Sequence, residues 1–169
     1  MSLPRPQKVI RKRFDVEEED KSMTFRHGET APIGGSSGNL FFLGLPGSGR
    51  RELAQDVAGR LGLRYTEAAS AADLDAALAG SGQAVAVTQT SIVESPEAVQ
   101  AMRASGRVFV LTILPHELAA RLGDPSSAGE LARKWERLEP LMLAAAHFIL
   151  PLDESFEELA WDAVWKARL

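Results

Sequence analysis

Cysteine is absent from this 169-residue chain, which excludes a disulfide framework and any thiolate metal site. Histidine is scarce, at three residues, and so is tyrosine, at one. Long apolar runs are missing too. No stretch approaches the roughly 18 consecutive apolar residues of a membrane span, and the opening MSLPRPQKVIRKRF has no signal-peptide core. The expectation is a cytoplasmic protein with no membrane partner. Positive charge is not in excess either. A net charge of −4 and a pI near 5.4 argue against nucleic acid as a main partner.

What is present is 45% hydrophobic residues, enough for one compact core. Residues 1–37 stand apart. Arg5, Lys8, Arg11, Lys12 and Arg13 form a basic block, Asp15, Glu17, Glu18, Glu19 and Asp20 an acidic one, and IGGSSG follows as a linker. With so few apolar residues this segment does not offset its own ordering entropy. It is expected to be a flexible charged tail, available as a contact element for a protein partner.

From residue 38 the pattern changes. LFFLGL reads as a buried strand ending in a loop, and Leu53, Ala54, Val57, Ala58 and Leu61 then repeat at helical spacing up to Gly62. A strand around LRYTE, a helix around DLDAALA, a strand AVAVT and a helix from SPEAVQAMR follow. After them come the strand RVFVLTIL, helices near HELAARL and over about 128–145, the strand HFILPL and a last helix. Ser155 and Glu158 have the spacing of a capping box at the start of that helix. Apolar strands alternating with helices predict an α/β fold, a three-layer doubly wound parallel sheet over 38–169.

The stretch GLPGSGRR, residues 44–51, lies between the first strand and the first helix. It has the spacing of G-x-x-x-x-G-K-[ST], in which backbone N–H groups cradle phosphates, Lys reaches the β and γ oxygens and the hydroxyl holds Mg²⁺. Gly44, Gly47, Ser48 and Gly49 fit an anion site at a helix N-terminus. Arg50 and Arg51 stand where Lys and Ser/Thr belong. Arg50 supplies charge with a different geometry, and Arg51 puts a fixed cation in place of a neutral Mg²⁺ ligand. Glu67, at the end of the LRYTE strand, is the only acid placed for a metal, and it reads equally well as a solvated loop residue.

Other features carry less. FRHGET, residues 25–30, is similar to the RHG motif of the histidine phosphatases, but follows EEEDKSMT instead of a buried strand; coincidence accounts for it. His116 begins a helix and His147 a strand. Trp161 and Trp165, one turn apart on the last helix, read as core or as a surface on which the tail docks. Lys134 and Lys166, the only lysines beyond the tail, read as solvated helix residues.

From Asn39 onward the chain resembles shikimate kinase, a small P-loop kinase that transfers the ATP γ-phosphoryl to the 3-hydroxyl of shikimate. NLFFLGLPGSGRRELAQDVAGRLGLRYTEA is similar to that family's first strand, P-loop, first helix and second strand. RVFVLTILPHELAARL resembles the later strand and the helix whose Arg packs on adenine, which falls on Arg121; EPLMLAAAHFIL resembles the last helix–strand pair. The resemblance implies ATP and Mg²⁺. The departures tell against both. The family's D-x-D meets Glu67 and Ala69, its glycine triad meets Gln89, Thr90 and Ser91, and its shikimate-binding subdomain has no room between Glu67 and Val85. The lid Arg-Pro is replaced by GDPSSAGELAR, and R-x-P-x-Y would put Arg at Leu138 and Tyr at Met142, with Arg137 one place out of register.

Losing charge, metal and substrate contacts together removes effects each worth orders of magnitude in rate. The leading expectation is a fold of this type with impaired catalysis, retaining at most phosphate or nucleotide binding for a regulatory or interaction role. The alternative is an active kinase of shikimate or a similar small hydroxyl substrate. A third reading is a purely structural or interaction protein.

Overall fold

The computed structural model describes residues 38–169; the charged tail and FRHGET lie outside the described residues. Five parallel strands form one sheet: β1 (Asn39–Leu43), β2 (Arg64–Ala68), β3 (Gln83–Val87), β4 (Gly106–Thr112) and β5 (Phe148–Pro151), in the order β2-β3-β1-β4-β5. The helices are α1 (Arg50–Leu61), α2 (Ala71–Leu78), α3 (Pro96–Ser105), α4 (Pro115–Arg121), α5 (Ala128–Ala145) and α6 (Phe156–Lys166). α1 packs on β1 and β3 and against α6, while α2, α3 and α5 meet in succession. The expected doubly wound α/β sheet is therefore present, with short 3₁₀ turns at Thr90–Glu94 and Pro125–Ser127 that the periodicity did not signal.

β1 and β3 are buried along their whole length, as the centre of a covered parallel sheet requires. β2 departs from the expected all-apolar strand. It pairs only with β3, and its RYTEA sequence leaves Arg64 and Glu67 exposed at the sheet edge. Three aromatic rings cross the sheet's other half. Phe42 stacks on Phe109 at 5.1 Å between centroids, and Phe109 on Phe148 at 5.4 Å.

The polar groups buried at the N-terminal end of the sheet fix its register. Asn39, wholly buried, donates to the Gly80 carbonyl at 3.2 Å and the Ser105 hydroxyl at 3.0 Å, and accepts from the Gln83 amide N–H at 3.1 Å. Gln83 Nε2 donates in turn to the Ala77 carbonyl at 2.8 Å. A slip of β1 against β3 would strand several buried polar atoms at once.

Helix ends follow the chemistry of their sequence. Gly62 closes α1 in the left-handed region, and Ser155 with Glu158 completes the capping box of α6. α6 buries Leu159, Ala160, Ala163 and Val164 but leaves Trp161 and Trp165 exposed, so neither tryptophan belongs to the core. Arg60 lies 4.7 Å from the Trp161 ring centroid, and Trp161 Nε1 donates to Glu157 at 2.9 Å. Lys166 bridges to Asp162 at 3.0 Å, and His116 lies at the start of α4.

Candidate phosphate site

The sheet order places β1 between β3 and β4, the strands that carry the chain to opposite sides. The C-terminal end of β1 is thus a topological switch point, where ligands bind in open α/β sheets. The loop GLPGSG leaves the sheet there. Its shape depends on glycine at two places. A Cβ on Gly44 would lie 2.6 Å from Ser48 Oγ, and Gly49, the N-cap of α1, has φ 89°, a conformation that strains other residues. Gly47 completes the bend beside Leu122. The first loop-to-helix bond runs from Leu53 N–H to the Gly49 carbonyl at 2.9 Å, so the N–H groups of Arg50, Arg51 and Glu52 have no intrahelical acceptor. With the helix dipole behind them they favour negative charge.

Arg50 turns inward beneath this loop. Only 6% of it is exposed. One terminal nitrogen donates to the Gly44 carbonyl and lies 3.5 Å from Thr90 Oγ1; the other donates to the Thr88 carbonyl at 2.7 Å. Thr90 Oγ1 itself donates to the Gly44 carbonyl at 3.2 Å. The guanidinium therefore ties the loop to the end of β3. Among the described residues no carboxylate pairs with it, and burial, aided by the charge of Arg51, pulls its pKa down to about 10. Its Nε and the buried Ser48 hydroxyl have no hydrogen-bond partner among the described residues.

Arg51 goes the other way. Its Nε donates to Glu67 Oε2 at 3.1 Å, and the Tyr65 hydroxyl donates to the same oxygen at 2.7 Å. The Tyr65 hydrogen bond and then Arg51 hold the Glu67 carboxyl below its usual range. Burial, then the neighbouring carboxylate, pushes the Tyr65 phenol up to about 12. The structure thus brings Arg51 and Glu67 together as an ion pair at the mouth of the site.

This pairing bears on the Mg²⁺ that the resemblance implies. The loop offers no hydroxyl at position 51, Glu67 is engaged twice, and the polar atoms of Thr88 and Thr90 nearest the loop face Arg50. Among the described residues no group of three or more acidic or histidine side chains is disposed to hold a metal ion. The donor set does not fit a divalent cation.

Two adjoining hollows flank the loop. A cleft of about 490 Å³ is lined by Pro46, Gly47, Gly49, Arg50, Arg51, Glu52 and Thr88. A cavity of about 200 Å³ continues past Ser48, Gly49 and Glu52 to Leu111, Arg121, Leu152, Glu154 and Phe156. Arg121 is anchored by a 3.5 Å contact from its terminal nitrogen to the Leu152 carbonyl, which sets it at the rim of this second hollow. Burial and the nearby Asp162, Glu158 and Asp153 push the Glu154 carboxyl upward.

Several residues in or beside the site escape a motif reading. Tyr65 is two positions from Glu67 on one strand, and period-two alternation already puts the pair on one face. Glu154 and Phe156 follow the last strand at the ligand-bearing end of the sheet. The positions that would carry the R-x-P-x-Y side chains, Leu138 and Met142, are buried core residues, while Arg137 pairs with Glu94 across to the 3₁₀ turn. The span between β2 and β3 holds only the eight-residue α2, as the short spacing requires.

No protein-family model matches the chain, and no curated protein matches its sequence. Solved structures do match in fold. A shikimate kinase from Acinetobacter baumannii, in complex with shikimate, has a TM-score of 0.66 at 13% identity, covering 76% of this chain and 91% of that one. A shikimate kinase from Bacteroides thetaiotaomicron has a TM-score of 0.67 at 14% identity, covering 78% and 98%. A gluconokinase from Sinorhizobium meliloti reaches 0.52 at 16%, covering 80% and 91%. The chain has a shikimate-kinase-like P-loop kinase fold.

Proposed function

We propose that this protein uses its P-loop to bind a phosphate group, as free anion or nucleotide, for a regulatory or interaction role, and that it does not transfer phosphoryl groups efficiently. The observation that carries this reading is Arg50, a buried guanidinium under a glycine loop with carbonyl and hydroxyl partners only. A buried cation is costly without an anion near it. A phosphate seated on the loop N–H groups would supply that charge. The neighbouring cavity, with Leu111, Leu152 and Phe156 as apolar walls and Arg121 at its rim, suits a flat base and favours a nucleotide.

The same geometry argues against turnover. Arg50 spends its terminal nitrogens on the protein, whereas a P-loop Lys is free to follow the transferred group. Arg51 replaces the metal-binding hydroxyl, and the region between β2 and β3 is too short for a substrate subdomain. Losing one preorganised charge-stabilising contact typically costs about 10²–10³ in rate.

Thermal unfolding of the full chain with phosphate, ADP, ATP and shikimate, alongside an ADP-release assay with Mg-ATP and shikimate, tests the reading. Phosphate and ADP should raise Tm, and ADP release should stay at the no-enzyme background. Turnover at the roughly 1–100 s⁻¹ of ordinary kinases would instead establish an active kinase of shikimate or a related hydroxyl substrate. A Tm unmoved by all four compounds would leave a purely structural or interaction protein.

A further inference from the structure

The Arg51–Glu67–Tyr65 cluster deepens the proposed phosphate-site reading, on which its own role rests. The geometry points to an anion site that works without a divalent cation: the Arg51 guanidinium, steered by Glu67 and Tyr65, stands in the place of the metal, so the ligand is a metal-free phosphate anhydride such as a nucleoside diphosphate or pyrophosphate.

Four observations converge on this. Arg51 occupies the loop position whose hydroxyl would otherwise face the ion. Its bond to Glu67 uses Nε alone out of five donors, and 60% of the side chain remains exposed at the cleft, where it is available to a ligand. Glu67 accepts from both Arg51 and Tyr65 on Oε2, so it can grip a metal ion with both oxygens only by giving up these bonds, and an ion on Oε1 alone would sit beside the Arg51 guanidinium. Finally, the buried Ser48 hydroxyl, in a residue 1% exposed, and Arg50 Nε have no partner among the described residues and belong to side chains lining the two hollows that meet at the loop. The guanidinium N–H is a donor only, which suits an anion and cannot ligate a metal.

Electrostatics sets the direction of the metal effect. Two guanidiniums flank the cleft, and a divalent cation brought in with the ligand meets both of them as a like charge. A free nucleoside diphosphate also carries more negative charge than its magnesium complex. Complexation therefore removes attraction and adds repulsion. The Arg51–Glu67 pair does the opposite for a free anion, because Glu67 and Tyr65 restrain the guanidinium on one side and its exposed part is left for phosphate oxygens.

Isothermal titration of the full-length protein with ADP and, separately, with pyrophosphate, each in EDTA and in excess Mg²⁺, tests this. The expected result is a Kd in EDTA equal to or several-fold below that in Mg²⁺ for both ligands, with ADP the tighter if the base enters the cavity. Binding that tightens with Mg²⁺ overturns the inference and leaves the phosphate-site reading intact. Binding in neither buffer overturns both. Arg51→Ser, at an exposed position that does not support the core, puts a hydroxyl at position 51 and leaves Glu67 with Tyr65 as its only donor of the two. In that variant Mg²⁺ should tighten ADP binding. An unchanged response to Mg²⁺, or no binding in either buffer, overturns the role given to Arg51.

Discussion

Arg50 and Arg51 are adjacent in sequence and opposite in fate. One is buried with neutral oxygens, the other exposed with a carboxylate. The pattern GLPGSGRR makes the loop legible, because glycine spacing reports backbone geometry. It does not say where either guanidinium goes. Arg50 reaches Thr88, 38 positions away, and Arg51 reaches Glu67, 16 away, so their directions are set by strands that the motif does not contain. Replacing Arg50 by Met should separate its two roles. The Thr88 carbonyl loses the Arg50 donor and the Gly44 carbonyl keeps only Thr90 Oγ1, at a cost of about 1–3 kcal/mol, partly offset by removal of a desolvated charge. Urea denaturation should show a modest loss of stability, and phosphate should no longer raise Tm. A phosphate-induced rise equal to the parent's would remove Arg50 from the binding site.

At the scale of elements, local chemistry is read well where a helix carries its own signals. Ser155 and Glu158 predict the capping box of α6, and Gly62 the end of α1. Ser155→Ala should cost about 1 kcal/mol, seen as a lower urea midpoint with unchanged slope. β2 is legible as a strand but not as an edge, since edge position depends on which strands pair. The surface role of Trp161 is likewise hidden, because it depends on Arg60 from another helix. A pH effect belongs at this scale too. His147 Nδ1 accepts the Val108 N–H at 2.9 Å, and the His147 N–H donates to the Val108 carbonyl at 2.8 Å, joining the start of β5 to β4. Burial, then Arg103 and Arg107, lower the His147 pKa below 6.5. The folded protein therefore binds fewer protons there than the unfolded chain, and stability falls as pH drops below about 6.5 toward the folded pKa. Urea midpoints at pH 7.5 and 5 should show that fall. In His147→Asn, whose amide oxygen keeps an acceptor without titrating, it should shrink; an equal fall in both proteins would assign the acid sensitivity elsewhere.

For the whole molecule, alternation of apolar strands with helices is enough to give the parallel sheet, because strands buried on both faces leave a continuous hydrophobic signature. That signature carries no strand order, which is set by pairing between segments far apart in the chain. Phe109 shows what holds the layers together. It is wholly buried and stacked between Phe42 and Phe148, so it links β1, β4 and β5 in one core. Phe109→Ala should cost about 3–5 kcal/mol, read by chemical denaturation, and a loss under about 1 kcal/mol, the scale of a substitution that leaves no cavity, would mean the stack is replaceable.

The tie from Arg50 to Gly44 and Thr88 has one more consequence. A flexible loop must surrender conformational freedom when it closes on an anion, and that loss comes out of the affinity. Here the protein's own side chain has already fixed the loop against β3. On the phosphate-binding reading proposed above, the anion would meet amide donors whose loop Arg50 already holds in position.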